Sequence, residues 1–245
     1  MRLIRVFVEA ELAAGARVEL AGSAQEHVTR VLRLGAGDEV TLFNGDGSDY
    51  PSTIMELRRN RAVVEVRAAT AARGESPLPV TLVQGIARGD CMDLVIQKAT
   101  ELGAAAIRPV ATERSVVRLD APAREKRLAH WRGIVIAACE QCGRARLPEV
   151  AEPLPLVEWL SRPPSPGRLR LQLDPAAPGT LPARAAGAPA IELLVGPEGG
   201  LTAAEQDAAR QTGYLSCRLG PRVLRSETAA IAALAVLQAT AGDLR

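Results

Sequence analysis

Apolar residues in the first third of the chain fall in short alternating runs. Residues 3–8 (LIRVFV), 39–43 (EVTLF), 52–57 (STIMEL) and 61–66 (RAVVEV) are rich in β-formers, and turn chemistry separates them at Asn44-Gly45-Asp46-Gly47 and Arg58-Arg59-Asn60. Between the first two runs, HVTRVLRL from His27 to Leu34 has helical spacing and stops at Gly35 and Gly37. The pattern predicts a small β-barrel with one short helix over residues 1–72. Residues 73–79 (RGESPLP) carry the Gly, Ser and Pro load of a linker.

From residue 80 to 245 the rhythm becomes strand and helix in turn. Val80–Ile86 reads as a strand, Asp90–Leu102 as a helix ended by Gly103, and Ala105–Val110 as a strand. Pro122–Cys142 reads as a long amphipathic helix ended by Gly143, and Leu169–Leu173 and Ile191–Val195 as buried strands of a parallel sheet. Thr202 and Glu205 form a capping box for a helix closed by Gly213. Leu215–Leu219 is a last strand, and Ser226 is the expected cap of a final Ala-rich helix. The expected fold class is α/β, a parallel sheet with both faces covered. Apart from its strand, the stretch 161–189, rich in Pro, Arg, Gly and Ala, reads as surface loop of little functional content.

Composition narrows the class. With 47% hydrophobic residues in 245, the chain can bury a sizeable core. The apolar stretch 228–241 is too short and too interrupted to cross a bilayer, and the N-terminus alternates instead of forming a signal block, so no membrane association and a cytoplasmic location are expected. Four cysteines, Cys91, Cys139, Cys142 and Cys217, are too few and scattered for a disulfide framework. Cys139-x-x-Cys142 has no second pair, and neither His27 nor His130 stands at ligand spacing, so no metal is expected. Net charge is only +2, but from Arg108 to Arg146 nine basic residues face four acidic ones. That excess fits either phosphate binding or an Arg-rich solvated helix.

The chemistry gathers near the C-terminus. VGPEGGLT (195–202) follows one strand directly, and LGPRVLRSETA (219–229) follows the next. Glycines at the carboxyl end of a parallel strand bring backbone N–H groups close to a ligand, which points to a small-molecule site. A P-loop is excluded because no Gly-Lys-Ser/Thr follows, and Gly-x-Gly-x-x-Gly is absent. Two such turns in tandem, each with a carboxylate, are stronger evidence than one tight turn.

VGPEGGLTAAE and LGPRVLRSETA, with DLVIQKATELG upstream and Glu140-Gln141-Cys142-Gly143-Arg144, closely resemble the ribosomal RNA small subunit methyltransferase E family. HVTRVLRLGAGDEVTLFNGDG resembles that family's PUA-like N-terminal domain, so the likeness spans nearly the whole chain. It implies a SPOUT-type second domain with a C-terminal trefoil knot, an exception to the rule that chains do not thread their own loops. It also implies S-adenosyl-L-methionine as methyl donor, N3 of a uridine in 16S ribosomal RNA of the small ribosomal subunit as acceptor, and a homodimer.

Carried over position by position, the donor is expected against Leu173, Val195, Gly196, Pro197, Gly199, Gly200, Leu219, Gly220, Val223 and Leu224. N3 of uracil is a poor nucleophile while protonated, so a base or an enolate stabiliser is required. Glu198 and Glu227 are the candidate carboxylates, each also explicable as a helix N-terminal acid. Arg225 is the candidate for stabilising charge on the uracil oxygens. Arg30, Arg33, Arg114 and Arg144 are candidate RNA contacts, and Arg144 and Glu140 are residues the other subunit could contribute to the reaction site. The first domain, with nine basic and ten acidic residues, is expected to orient RNA more than attract it. Lys98 and Glu101 read as a surface pair. Cys91 stands where the family usually has a basic residue. Six aromatics give no broad stacking platform, so a single flipped uridine fits better. Three alternatives stay open: a relative acting on transfer RNA, a silent RNA-binding assembly factor, and a nucleotide-binding α/β enzyme acting on small molecules.

Overall fold

The computed structural model describes residues 4–58, 61–115 and 121–244. It comprises two compact units, Met1–Glu75 with Ile136–Leu147, and Ser76–Val135 with Pro148–Arg245.

The first unit contains β1 (Arg5–Phe7), β2 (Arg17–Leu20), α1 (Gly22–Glu26), a π-helical turn (His27–Val31), β3 (Glu39–Phe43), β4 (Ser48–Arg58), β5 (Arg61–Val66) and β6 (Thr70–Ala71). The strand order is β1-β3-β4-β5-β2 with β6 paired to β4, and β1 with β3 is the parallel pair. β5 shows the period of two that builds the core: Ala62, Val64 and Val66 are buried, while Arg61 is exposed. They pack with Val6, Val28, Leu42 and Ile54.

Besides the two-residue β6, which the pattern did not give, two strands of this unit differ from the pattern reading. β2 was absent from it because Arg17 and Glu19 leave only Val18 and Leu20 as apolar positions on an edge strand. β4 starts at Ser48, earlier than expected, because Ser48 and Asp49 pair with Ala71 and Thr70.

The second unit begins with β7 (Val80–Gly85), α2 (Gly89–Glu101), β8 (Ala104–Ala111) and α3 (Ala121–Cys142), whose end from Ile136 belongs to the first unit. It continues through β9 (Glu149–Val150), β10 (Leu154–Pro155), α4 (Leu156–Leu160), β11 (Leu169–Leu173), α5 (Leu181–Ala185), β12 (Ile191–Val195), α6 (Ala203–Gln211), β13 (Leu215–Cys217) and α7 (Ser226–Ala241). All pairings are parallel, in the order β10-β8-β7-β12-β11-β13 with β9 on β8. Every residue of β7 and β12 is buried, as expected for central strands covered on both faces. Each fully buried Leu of these strands, such as Leu82 or Leu193, contributes about 2 kcal/mol of burial.

The glycines predicted to end helices, Gly103, Gly143 and Gly213, adopt φ of 75°, 89° and 95°. Thr202 and Glu205 form the predicted capping box, with Glu205 N donating to Thr202 Oγ1 at 3.2 Å and Thr202 N to Glu205 Oε2 at 2.8 Å. Ser226 is not the cap of α7. Arg225 holds that position, and the Ser226 hydroxyl turns away to the carbonyl of Gly196.

A buried polar cluster braces the sheet edge. Arg170 Nε lies 3.1 Å from Glu192 Oε1, and Trp159 Nε1 donates to Tyr214 Oη at 3.0 Å, which in turn donates to Glu192. Burial first, and then the Glu192 charge, push the Tyr214 hydroxyl far above its ordinary pKa, so it stays a donor.

Candidate functional site at the carboxyl ends of three parallel strands

β12, β11 and β13 are neighbours in the sheet, and a cavity of about 260 Å³ opens where they end. Leu173 closes β11, Val195 closes β12 and Cys217 closes β13; all three line it. Side chains of a strand end fix the floor, while the loops that follow are free to shape the walls, which is why ligands collect here in open parallel sheets.

The wall after β12 is a tight turn. Gly200 N donates to the Pro197 carbonyl at 2.8 Å. A Cβ on Gly196 would stand 3.0 Å from Leu201 N, and one on Gly85, at the end of β7, would stand 2.6 Å from Pro197 N. Only glycine permits this stacking of main chain on main chain. Two contacts hold it from either side: Arg114 Nη1, from outside the turn, donates to Gly199 O at 2.9 Å, and the turn's own Glu198 Oε1 accepts the Arg88 N–H at 2.9 Å.

Of the residues expected to hold a donor, Leu173, Val195, Gly196, Pro197, Gly199, Gly200, Leu219, Val223 and Leu224 line the cavity, with Val223 82% exposed at its mouth. Gly220, at φ +100°, belongs to the same loop as Leu219 but is not part of the lining. Glu198 lines it as well. Arg225 is exposed and Glu227 half-buried at the start of α7, and Glu227 Oε2 is buried without a hydrogen-bond partner among the described residues.

The charges of these three groups all act on Cys91, in the first turn of α2. Burial raises the Cys91 thiol pKa, the charges of Glu227 and Glu198 raise it further, and Arg225 opposes them. The thiol therefore stays protonated at neutral pH. Cys217, in the cavity floor, is likewise inert, its pKa pushed up to about 12 by burial.

Sequence reasoning missed several lining residues. Asp174 and Pro175 follow β11 directly, inside the stretch that composition marked as featureless loop. The rule that located 195–202, a loop at the carboxyl end of a buried strand, applies equally there. Asp174 Oδ1 accepts Ala176 N at 2.9 Å. Gln206, Arg218, Arg222 and Ser226 are among the further lining residues that the pattern did not give.

The candidate RNA contacts are placed differently from one another. Arg33 is exposed at φ +52° and Arg30 is exposed beside Glu26 at 3.1 Å, both in the first unit. Arg114 is exposed by the glycine turn. Arg144 is 4% exposed, with Nη2 at 2.9 Å and Nε at 3.2 Å from Glu75 Oε2. Its carbonyl accepts Arg5 Nη2 at 2.9 Å, and Glu140 Oε1 accepts Phe7 N at 3.1 Å. Those two therefore brace the first unit in this geometry. Lys98 and Glu101 form the expected pair, 2.8 Å apart.

The fold and site are those of an RNA methyltransferase. The family model for an RNA methyltransferase domain matches residues 74–238, and that for an RNA methyltransferase PUA domain matches residues 20–67. A curated relative from Buchnera aphidicola subsp. Schizaphis graminum, ribosomal RNA small subunit methyltransferase E, is 31% identical over 99% of this chain and 98% of its own length. Its Bacillus subtilis counterpart is 30% identical over 89% of this chain and 88% of its own. The chain belongs to the ribosomal RNA small subunit methyltransferase E family. Among solved structures, a Legionella pneumophila methyltransferase in complex with S-adenosylmethionine superposes with a TM-score of 0.94 at 39% identity, covering 100% of both chains. The Neisseria gonorrhoeae methyltransferase E bound to S-adenosyl methionine gives 0.93 at 37% identity, also over 100% of both.

Proposed function

We propose that this chain transfers the methyl group of S-adenosylmethionine to N3 of a uridine in 16S ribosomal RNA of the small subunit, acting in the cytoplasm as a homodimer. The observation that carries the reading is the cavity walled by three loops at the ends of β11, β12 and β13; Glu227, whose Oε2 is buried without a partner among the described residues, directly follows the lining residue Ser226.

The residues present fit the donor. The glycine turn offers close-packed backbone groups for an adenine edge, Leu173, Val195 and Leu224 offer apolar wall, and Asp174 offers a carboxylate oxygen for ribose hydroxyls. When bound, S-adenosylmethionine supplies a methyl carbon already activated by its sulfonium.

The chain's task is then to orient the uracil and remove its imide proton. In the proposed step the N3 lone pair forms the new bond to the methyl carbon, the sulfur keeps the electrons of the bond that breaks, and Glu227 Oε2 takes the proton. Arg225 faces the negative charge that develops on the uracil oxygens. Glu198 holds the start of α2 against the turn. Arg30, Arg33 and Arg114 are exposed and suited to phosphate. The knot belongs to the same proposal; β11 lying between the later strands β12 and β13 supports it. For the dimer, the half-buried Ile231, Ala232, Ala235 and Val236 along α7 are the surface we assign.

The test is transfer of labelled methyl from S-adenosylmethionine to small ribosomal subunits from a strain lacking this gene, beside bulk transfer RNA. Label in subunits alone is expected. Label in transfer RNA alone would replace the assigned substrate.

A further inference from the structure

Two side chains outside every role assigned so far meet at the back of the glycine turn. Gln84, fully buried in β7, points its Nε2 at Ser226 Oγ (3.0 Å) and at its neighbour's carbonyl, Gly85 O (2.9 Å), with Gly196 O farther away at 3.5 Å. Ser226, 5% exposed and lining the cavity, donates its hydroxyl proton to Gly196 O at 2.6 Å.

The proton count fixes the direction of the chain of bonds. A serine hydroxyl has one proton, and Gly196 O takes it, so the Ser226 oxygen is an acceptor toward Gln84 and the Gln84 amide must present nitrogen, not oxygen. That orientation leaves Gln84 Oε1 buried without a partner among the described residues. A buried amide with one unmet acceptor is uncommon, and it persists where the surrounding geometry requires it. Here the requirement is visible. The three residues join the end of β7, the turn after β12 and the first residue of α7, whose flanking neighbours are Arg225 and Glu227.

We infer that Gln84 and Ser226 are positioning residues of the donor site, fixing the Gly196 carbonyl and with it the glycine turn that forms the donor-facing wall. The inference rests on the donor-site reading above. Neither residue touches the reacting atoms. Their effect is on how well the wall is preformed, and so on donor affinity more than on the chemical step.

The experiment is calorimetric titration of S-adenosylmethionine into the full chain and into Ser226→Ala, Ser226→Thr and Gln84→Met, with donor-dependent initial rates on the same subunits. Loss of one buried hydrogen bond in the wall predicts that Ser226→Ala raises the donor Kd and KM about tenfold, with kcat at saturating donor within about twofold. Ser226→Thr, which keeps the hydroxyl, is expected to bind as the parent does. Gln84→Met, which keeps the Ser226–Gly196 bond, is expected to lose about threefold. Parent-like affinity in Ser226→Ala overturns the inference. So does weakening in Ser226→Thr equal to that in Ser226→Ala, or a fall in kcat with KM unchanged. If neither Ser226→Ala nor Gln84→Met folds, the pair is a determinant of the fold and the positioning role is lost. Absence of donor binding by the unsubstituted chain is the separate outcome that sinks the donor-site reading itself.

Discussion

Glu198 Oε1 accepts the backbone N–H of Arg88 at 2.9 Å, tying the turn after β12 to the residue that precedes α2. Glu198 thus does work that an uncharged acceptor can also do. Glu198→Gln is expected to keep kcat/KM within about threefold, while Glu198→Ala, which abandons the Arg88 N–H, is expected to lose about tenfold. Steady-state rates on both variants check this. Equal losses would mean that the charge, not the hydrogen bond, is what matters.

Glu227 is the opposite case, because its Oε2 has no partner to hold among the described residues. If it receives the N3 proton, Glu227→Gln lowers kcat by about 10²–10⁴-fold, the usual worth of a general base. Donor affinity, measured by titration, stays near that of the parent.

Cys91 reports on the same carboxylates. Its thiol pKa is raised by burial first and then by Glu227 and Glu198. Removing one negative neighbour in Glu227→Gln lowers that pKa, so at a fixed pH below it the thiolate fraction rises. Alkylation of Cys91 by iodoacetamide, followed by peptide mass spectrometry across pH 7–10, is expected to be faster in the variant.

In the first unit, burial tends to raise the Asp46 pKa, but hydrogen bonds from Tyr50 Oη (2.6 Å) and Ser48 N (2.7 Å) outweigh it and leave the carboxyl below its ordinary value. A depressed carboxyl contributes stability that is present above the unfolded-state pKa and lost as pH falls through the folded one. Asp46→Asn is therefore expected to flatten the acid limb of the Tm–pH profile and to leave neutral pH less affected. The same bond raises the Tyr50 pKa, a contribution present below its ordinary value of 10.0 and lost as pH rises through the folded value. A Tm–pH profile unchanged by the substitution would remove Asp46 from the account.

Two arginines singled out together as RNA contacts separate by experiment. Arg144 is buried against Glu75, so Arg144→Ala leaves Glu75 Oε2 without its guanidinium, with Oε1 still accepting the Arg146 N–H, and is expected to cost about 3 kcal/mol of stability in urea unfolding. Arg33 is exposed, so Arg33→Ala is expected to leave stability unchanged and to reduce the salt slope of RNA binding by about one.

Much of this was legible in the chain itself. The carboxyl-end glycine turns at 195–202 and 219–225, the long strands β7, β11 and β12, and the Thr202–Glu205 box are local patterns, and local patterns are what periodicity and turn chemistry report. What was hidden is long-range. Nothing near Arg144 in sequence announces Glu75, and nothing near Ser226 announces Gly196, so one arginine read as an RNA contact and one serine as a helix cap. Asp174 was passed over because Pro, Ala and Gly around it dilute the strand signal just before it. β2 was lost because an edge strand needs little apolar surface.

The most direct measurement is the identity of the nucleoside made. Small subunits from a strain lacking this gene, incubated with the chain and S-adenosylmethionine and digested for mass spectrometry, are predicted to yield N3-methyluridine at one site. A methylated ribose, a different methylated base, or no modification of subunits by donor-bound chain would contradict the account.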